Sequence, residues 1–210
     1  MDIILTPSEI RWIKNKYPNI KIDNKKISIK GQIYFNRSYN EITINDSYEI
    51  EIILKTKENS ILPQVKEVGG KIREIANNLN KPLIDLHVNN NDNTLCLCIY
   101  KKEKEYFLDD FDIKIFFEQL LEPYLYWISY FNKYKRKPWG EYAHSNLGYL
   151  EMYAEEEIDI DNLKKFFLNE ELVKIKKMKG HHGCLCGSNE KIKKCHKLLY
   201  KAIYKLKKEL

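Results

Sequence analysis

The chain has 210 residues, 43% of them hydrophobic and 12% aromatic, enough for one domain of about 150 residues with a packed core plus an appendage. No run approaches the roughly 18 consecutive apolar residues of a membrane span, and the opening MDIILTPSEI lacks the basic-then-apolar layout of a secretion signal, so a cytoplasmic protein without membrane contact is expected. Net charge is +6, yet residues 163–210 carry 14 Lys against 4 Glu and the first 162 residues sum to −4; such a basic segment is either a solvated surface or a contact for nucleic acid, ribosomes or an acidic protein.

In chain order, Thr6-Pro7-Ser8-Glu9 has the form of a capping box with proline at the first helical position, predicting a short helix that ends before Pro18. Ile27, Ile29, Ile33 and Phe35 alternate with mostly polar residues, as do Tyr48, Ile50, Ile52 and Leu54. This period of two predicts half-buried strands of an antiparallel meander. Turn residues accumulate over 62–95, including Pro63, Gly69-Gly70 and Pro82, so this stretch reads as loops, where functional groups usually sit. Residues 111–130 have helical spacing interrupted by Pro123, which is expected to kink or divide the helix. A second loop over 135–148 holds Pro138-Trp139-Gly140-Glu141-Tyr142-Ala143-His144. A helix is expected over 161–178 and a final basic one over 191–210. The fold class is therefore α+β.

The five cysteines, Cys96, Cys98, Cys184, Cys186 and Cys195, fall in two tight groups. An odd count in clusters argues against a disulfide framework and for metal binding or thiol chemistry. In the first group, His87 and Asn89 precede Cys96 across a polar loop. Cys98, in extended backbone, shares a face with Cys96, and either sulfur can be the exposed one; free cysteines also serve as small buried hydrophobes.

The stretch His87-Val88-Asn89 followed by Leu95-Cys96-Leu97 resembles the ubiquitin-conjugating family, in which a His-Pro-Asn tripeptide precedes a catalytic cysteine. Val88 stands where that family has proline, and the loop is one residue shorter. Together with Leu62-Pro63-Gln64-Val65-Lys66-Glu67, Gly69-Gly70 and the Pro138–His144 loop, the match is similar to a bacterial branch of the family found in predicted conjugation or anti-phage operons, and covers residues 5–155. The resemblance implies a conjugating-enzyme-like fold with an N-terminal helix, a meander sheet and C-terminal helices. It also implies that Cys96 holds an acyl group as a thioester, that Asn89 donates to the oxyanion formed when an amine attacks, and that His87 braces the loop. His144 either assists the thiol or an incoming amine or fixes its loop through the backbone, and Glu141 has the same two readings.

The second group, Cys184-Leu185-Cys186-Gly187-Ser188 followed by a basic stretch and Cys195-His196, resembles the SEC-C motif, a short zinc module of the bacterial SecA translocation ATPase and other proteins. The resemblance implies a structural Zn2+ held by Cys184, Cys186, Cys195 and His196, a closed set with no open position for substrate, with His181 and His182 as alternative ligands. Related modules dock on proteins or ribosomes, which makes Lys191, Lys193, Lys194 and Lys197 a candidate docking face.

The expected organisation is a conjugating-enzyme-like domain over 1–160, a linker helix over 161–180 and the zinc module with the basic helix over 181–210. The expected function is a transferase that accepts an activated protein C-terminus on Cys96 and passes it to an amine or thiol. Its partners would be a ubiquitin-like modifier or another protein tail, a separate activating enzyme and a target protein, with no nucleic acid. The alternatives are a non-catalytic adaptor of the same fold and a nucleic-acid-binding zinc protein.

Overall fold

Thr6 starts the first helix, α1 (Pro7–Lys16), as a complete capping box: the Thr6 hydroxyl accepts from the Glu9 amide at 3.3 Å and the Glu9 carboxylate accepts from the Thr6 amide at 2.6 Å. The structure, a computed structural model, describes every residue except 24–26, 59, 109, 141, 144, 145 and 189. It is a mixed α+β chain in two compact units, Met1–Trp139 and Gly140–Leu210. The division falls about twenty residues before the expected boundary at 160, and it places residues 140–160 with the zinc-motif region.

In the first unit, β1 (Ile20–Asp23), β2 (Ser28–Tyr39), β3 (Ile42–Thr56) and β4 (Pro63–Glu67) form an antiparallel meander in sequence order. The pairs Ile29↔Ile52 and Ile33↔Tyr48 set the register, so Ile29, Ile33 and Phe35 share one buried face with Ile44, Tyr48, Ile50, Ile52 and Leu54. Each such side chain contributes roughly 1.5–3 kcal/mol by leaving water, and a slip of one residue would turn the whole set to solvent. Strand β4, read from the sequence as loop, pairs Val65 with Ile52. Its Pro63 is tolerated because it is the first residue of an edge strand, where a missing N–H breaks no internal ladder.

The buried face is covered by a long helical run. It opens with α4 (Ile113–Ile115), widens into a π-helical segment (Phe116–Leu121) and continues as α5 (Glu122–Tyr134). The π segment answers Pro123. A proline inside a regular helix loses a hydrogen bond and clashes with the carbonyl four residues back; here the Glu122 amide reaches the Phe117 carbonyl five residues back, and the widened turn admits the ring without ending the helix. Tyr48 and Ser129 share a hydroxyl–hydroxyl hydrogen bond of 2.7 Å, and Tyr126 donates to the Ile42 carbonyl at 2.9 Å, tying α5 to β3. Two further helices, α2 (Lys71–Asn78) and α3 (Tyr100–Tyr106), and a 3-10 turn (Leu83–Leu86) lie between sheet and long helix in sequence.

The second unit comprises α6 (Asn146–Ala154), α7 (Ile160–Leu163), α8 (Asn169–Lys176), α9 (Ile192–Cys195) and α10 (Lys197–Glu209). The single helix expected over 161–178 is two, because Leu168 is extended and its amide is captured by the Glu171 carboxylate at 2.7 Å, which restarts the chain as α8. The basic helix expected over 191–210 is broken at His196, whose backbone is extended between α9 and α10. Helix α6 belongs here: the Tyr153 hydroxyl donates to Glu209 at 2.7 Å and Lys205 donates to the Tyr153 carbonyl at 3.1 Å. Leu150, Tyr153, Leu163, Leu172, Leu199, Ile203 and Leu206 are buried in this unit. No helix among the described residues is long and apolar enough to cross a membrane.

Candidate thiol site and candidate metal centre

The loop that carries Cys96 is closed by its own backbone. His87 ends the 3-10 turn in a left-handed conformation, φ 57°, and its carbonyl accepts the Cys96 amide at 2.7 Å. Between them Val88 and Leu95 form an isolated bridge, the Asn89 amide reaches the Thr94 carbonyl at 2.8 Å, and the Leu95 amide reaches the Val65 carbonyl of β4 at 2.8 Å. The chain thus folds into a tight excursion that returns Cys96 to the backbone of His87. From below, Tyr124 of α5 donates its buried hydroxyl to the Leu86 carbonyl at 2.9 Å. The His87 ring meets Trp127 edge to face at 5.3 Å, a packing contact that fits bracing.

The tip is pinned by charge. Lys57 donates to the Asp92 carboxylate at 2.6 Å and to the buried Thr94 hydroxyl at 2.8 Å, while Asp92 accepts from the Thr94 amide and hydroxyl. Partial burial pushes the Asp92 carboxyl up, but Lys57 and Thr94 overcome it and hold the group at about 2. The Asn89 side-chain amide donates to Thr94 Oγ1 at 3.0 Å. An amide carries two N–H donors, and among the described residues the second has no acceptor.

Cys96, Cys98 and Asn89 line one cavity of about 220 Å3 with Lys57, Thr94 and Glu103. That is below the roughly 300–1,000 Å3 of a pocket for a whole small molecule. The two thiols are both half-buried but differ. Burial, with the nearby Glu103 carboxylate and Cys96, pushes the Cys98 thiol up to about 12, and its sulfur lies 3.2 Å from the Ile99 carbonyl, to which it donates. Both effects disfavour the Cys98 thiolate, the form that acts as nucleophile.

Glu103 was not marked by the sequence, where it sits in Lys-Lys-Glu-Lys-Glu and reads as one more surface charge. The structure buries it to 5% exposure, with its carboxylate accepting from Ser60 Oγ at 2.9 Å and the Ile61 amide at 2.9 Å. Burial raises its pKa despite those donors. A carboxyl raised in the fold contributes stability that is complete below its unfolded pKa and lost as pH rises through the folded one. Glu103→Gln keeps the shape and can still accept from Ile61. It is expected to match the native protein at pH 4 and to melt a few degrees higher at pH 8, which thermal unfolding followed by circular dichroism at both pH values will measure; an unchanged difference across the range would remove the burial cost from the explanation. His144 and Glu141 lie outside the described residues.

In the second unit, Cys184, Cys186, Cys195 and His196 bring their ligand atoms within 4.8 Å of one another. Cys186 and Cys195 sulfurs are 3.5 Å apart, and His196 Nδ1 lies 3.3 Å from Cys184 and 3.2 Å from Cys195. Bonds of about 2.3 Å to sulfur and 2.0–2.1 Å to nitrogen around a tetrahedral ion separate ligand atoms by roughly 3.5–3.8 Å, so the cluster has room for one metal and little else. The backbone builds this cup: the Cys184 amide reaches the Glu190 carbonyl at 2.7 Å, the Ile192 amide reaches His182 at 3.0 Å, and Gly187 turns the chain at φ +78°, a conformation that costs glycine nothing. The break at His196 now has its reason, since an extended residue there aims the ring back at the sulfurs. Burial and neighbouring sulfurs push the Cys184 thiol up to about 12. His181 and His182 are exposed and stand apart from the four, and His182 Nδ1 accepts from the Lys179 amide at 3.2 Å.

Compared with models of protein families, with characterised proteins and with solved structures, the chain matches none.

Proposed function

We propose that the first unit is a conjugating-enzyme-like acyl carrier and that the cluster in the second unit holds a structural zinc ion. The observation that supports the first reading is the cavity that Cys96 and Asn89 share. The Cys96 thiolate attacks the activated carbonyl of a protein C-terminus supplied by a separate activating enzyme. A C–S bond forms and the activating group leaves. An amine or thiol of the target then attacks the thioester carbonyl, the C–S bond breaks, the Cys96 thiolate departs and the nucleophile gives its proton to solvent. Asn89 supports the oxyanion between these steps with its uncommitted N–H. Zinc is the metal that three thiolates and one imidazole in a closed tetrahedron suit best; it leaves no site for substrate, so its work is to hold the module folded. Reduced, clustered thiols and a bacterial conjugation or defence role fit the cytoplasm.

A second reading, a non-catalytic adaptor of the same fold, draws on the commitment of one Asn89 N–H to Thr94. One experiment separates the two. Incubated with the cognate activating enzyme, modifier and ATP, Cys96→Ser is expected to trap a thiol-resistant oxyester where the native protein gives a thiol-labile adduct. The same adduct on Cys96→Ala would place the acyl group elsewhere and leave the adaptor.

A further inference from the structure

Helices α9 and α10 turn Ile192, Leu199, Ala202, Ile203 and Leu206 inward, which leaves an outer face of lysine and tyrosine. Lys193, Lys194, Lys197, Lys201 and Lys208 are exposed on it, and among the described residues none of the five pairs with an acidic side chain. Tyr200 and Tyr204 are 45% and 59% exposed and lie one turn apart, about 6 Å along the axis. Neither ring is needed for the core. Tyr200 is nonetheless held in place: a Cβ on Gly180 would come within 2.9 Å of its ring and 3.3 Å of the Lys193 Cβ, so the bare glycine lets the ring lie close against the chain while much of the residue stays exposed. The Tyr204 ring has the Lys208 ammonium 4.7 Å from its centre.

We infer that this face binds single-stranded RNA, with the lysines on phosphates and the two tyrosine rings stacked on successive bases. A row of unpaired ammonium groups calls for a polyanion, and open aromatic rings between them add what unstacked bases recognise. A bilayer would need a row of exposed aliphatic side chains, and within α10 Leu199, Ala202, Ile203 and Leu206 are buried and Leu198 is half-buried. An acidic peptide would satisfy the lysines and leave both rings without a role. The inference is independent of the acyl-carrier reading, because Cys96 belongs to the other unit.

The test uses the full zinc-loaded chain and a labelled RNA of mixed sequence, about 15 nucleotides long, within the range such surfaces span, with binding read by fluorescence anisotropy between about 50 and 200 mM salt. Affinity is expected to fall steeply with salt. Tyr200→Ala and Tyr204→Ala should each weaken binding about tenfold or more without changing the salt slope. Lys201→Gln with Lys208→Gln should instead flatten the log–log slope by about 1.4, at roughly 0.7 for each single-strand phosphate that no longer has a lysine to neutralise it. Zinc content and circular dichroism of each variant confirm that the module is folded. Absent RNA binding at the lowest salt, unchanged affinity in both tyrosine variants, or polyphosphate, polyglutamate, phosphatidylglycerol vesicles or DNA of the same sequence binding better than RNA would each overturn the inference.

Discussion

Cys195→Ala is expected to strip the metal from the second unit and to unfold the turns that surround it. Binding of a structural zinc ion is worth roughly 10–16 kcal/mol in small modules, more than the local core here can replace: Ile192 and Cys184 are the buried residues within the cup itself, and its backbone is held by a few isolated hydrogen bonds. With one sulfur missing, the remaining three ligands lose the closed set. The native chain should carry one zinc, released by a chelator together with three newly titratable thiols, and the variant none. Hydrogen exchange locates the damage. The amides of Cys184 and Ile192, bonded to Glu190 and His182 carbonyls, should lose protection, while α10, anchored by Leu199, Ala202, Ile203 and Leu206, should keep it. Full protection of both amides after chelation would show that the cup stands without metal and would end the structural-zinc reading.

The same cluster illustrates what can be read from a sequence. A ligand set depends on a few residue types at short spacing, and the structure brings together the four residues that the resemblance to a zinc module implies. The capping box at Thr6 and the alternation along β2 and β3 are legible for the same reason: each is a local pattern with one physical solution. What escapes is decided by contacts far apart in the chain. Pro63 speaks against a strand until an edge position makes its missing N–H harmless. Glu103 looks like a surface charge until the Ser60–Ile61 backbone closes over it. The helices expected over 161–178 and 191–210 have continuous helical composition, and only the Glu171 carboxylate on Leu168 and the aim of His196 at the sulfurs divide them. The boundary after Trp139 is hidden likewise, since the bonds of Tyr153 to Glu209 and Lys205 bind α6 to a helix about fifty residues away.

At the thiol site, Cys96→Ala is expected to abolish adduct formation altogether, and Asn89→Ala to leave adduct formation near normal while slowing its discharge to an amine by about 100- to 1,000-fold, the usual cost of losing one oxyanion donor. The split follows from the order of events. Thioester formation depends on the sulfur and on the activated carbonyl brought by the donor, whereas discharge to an amine passes through an oxyanion that this chain must stabilise. Asn89 also supports the loop through its bond to Thr94, and its removal could displace Cys96 without any part in chemistry. Asn89→Asp answers that: its carboxylate loses the bond to Thr94, whose hydroxyl proton goes to Asp92, but can accept from the Lys57 ammonium beside the same hydroxyl and so keep the loop tied, while it offers no N–H to an oxyanion. Single-turnover discharge to free lysine, measured on pre-formed adduct, should therefore be slow in both variants. Recovery of the native rate in Asn89→Asp would reduce Asn89 to a brace and pass the oxyanion to another donor in the cavity, which the Lys57 ammonium also lines.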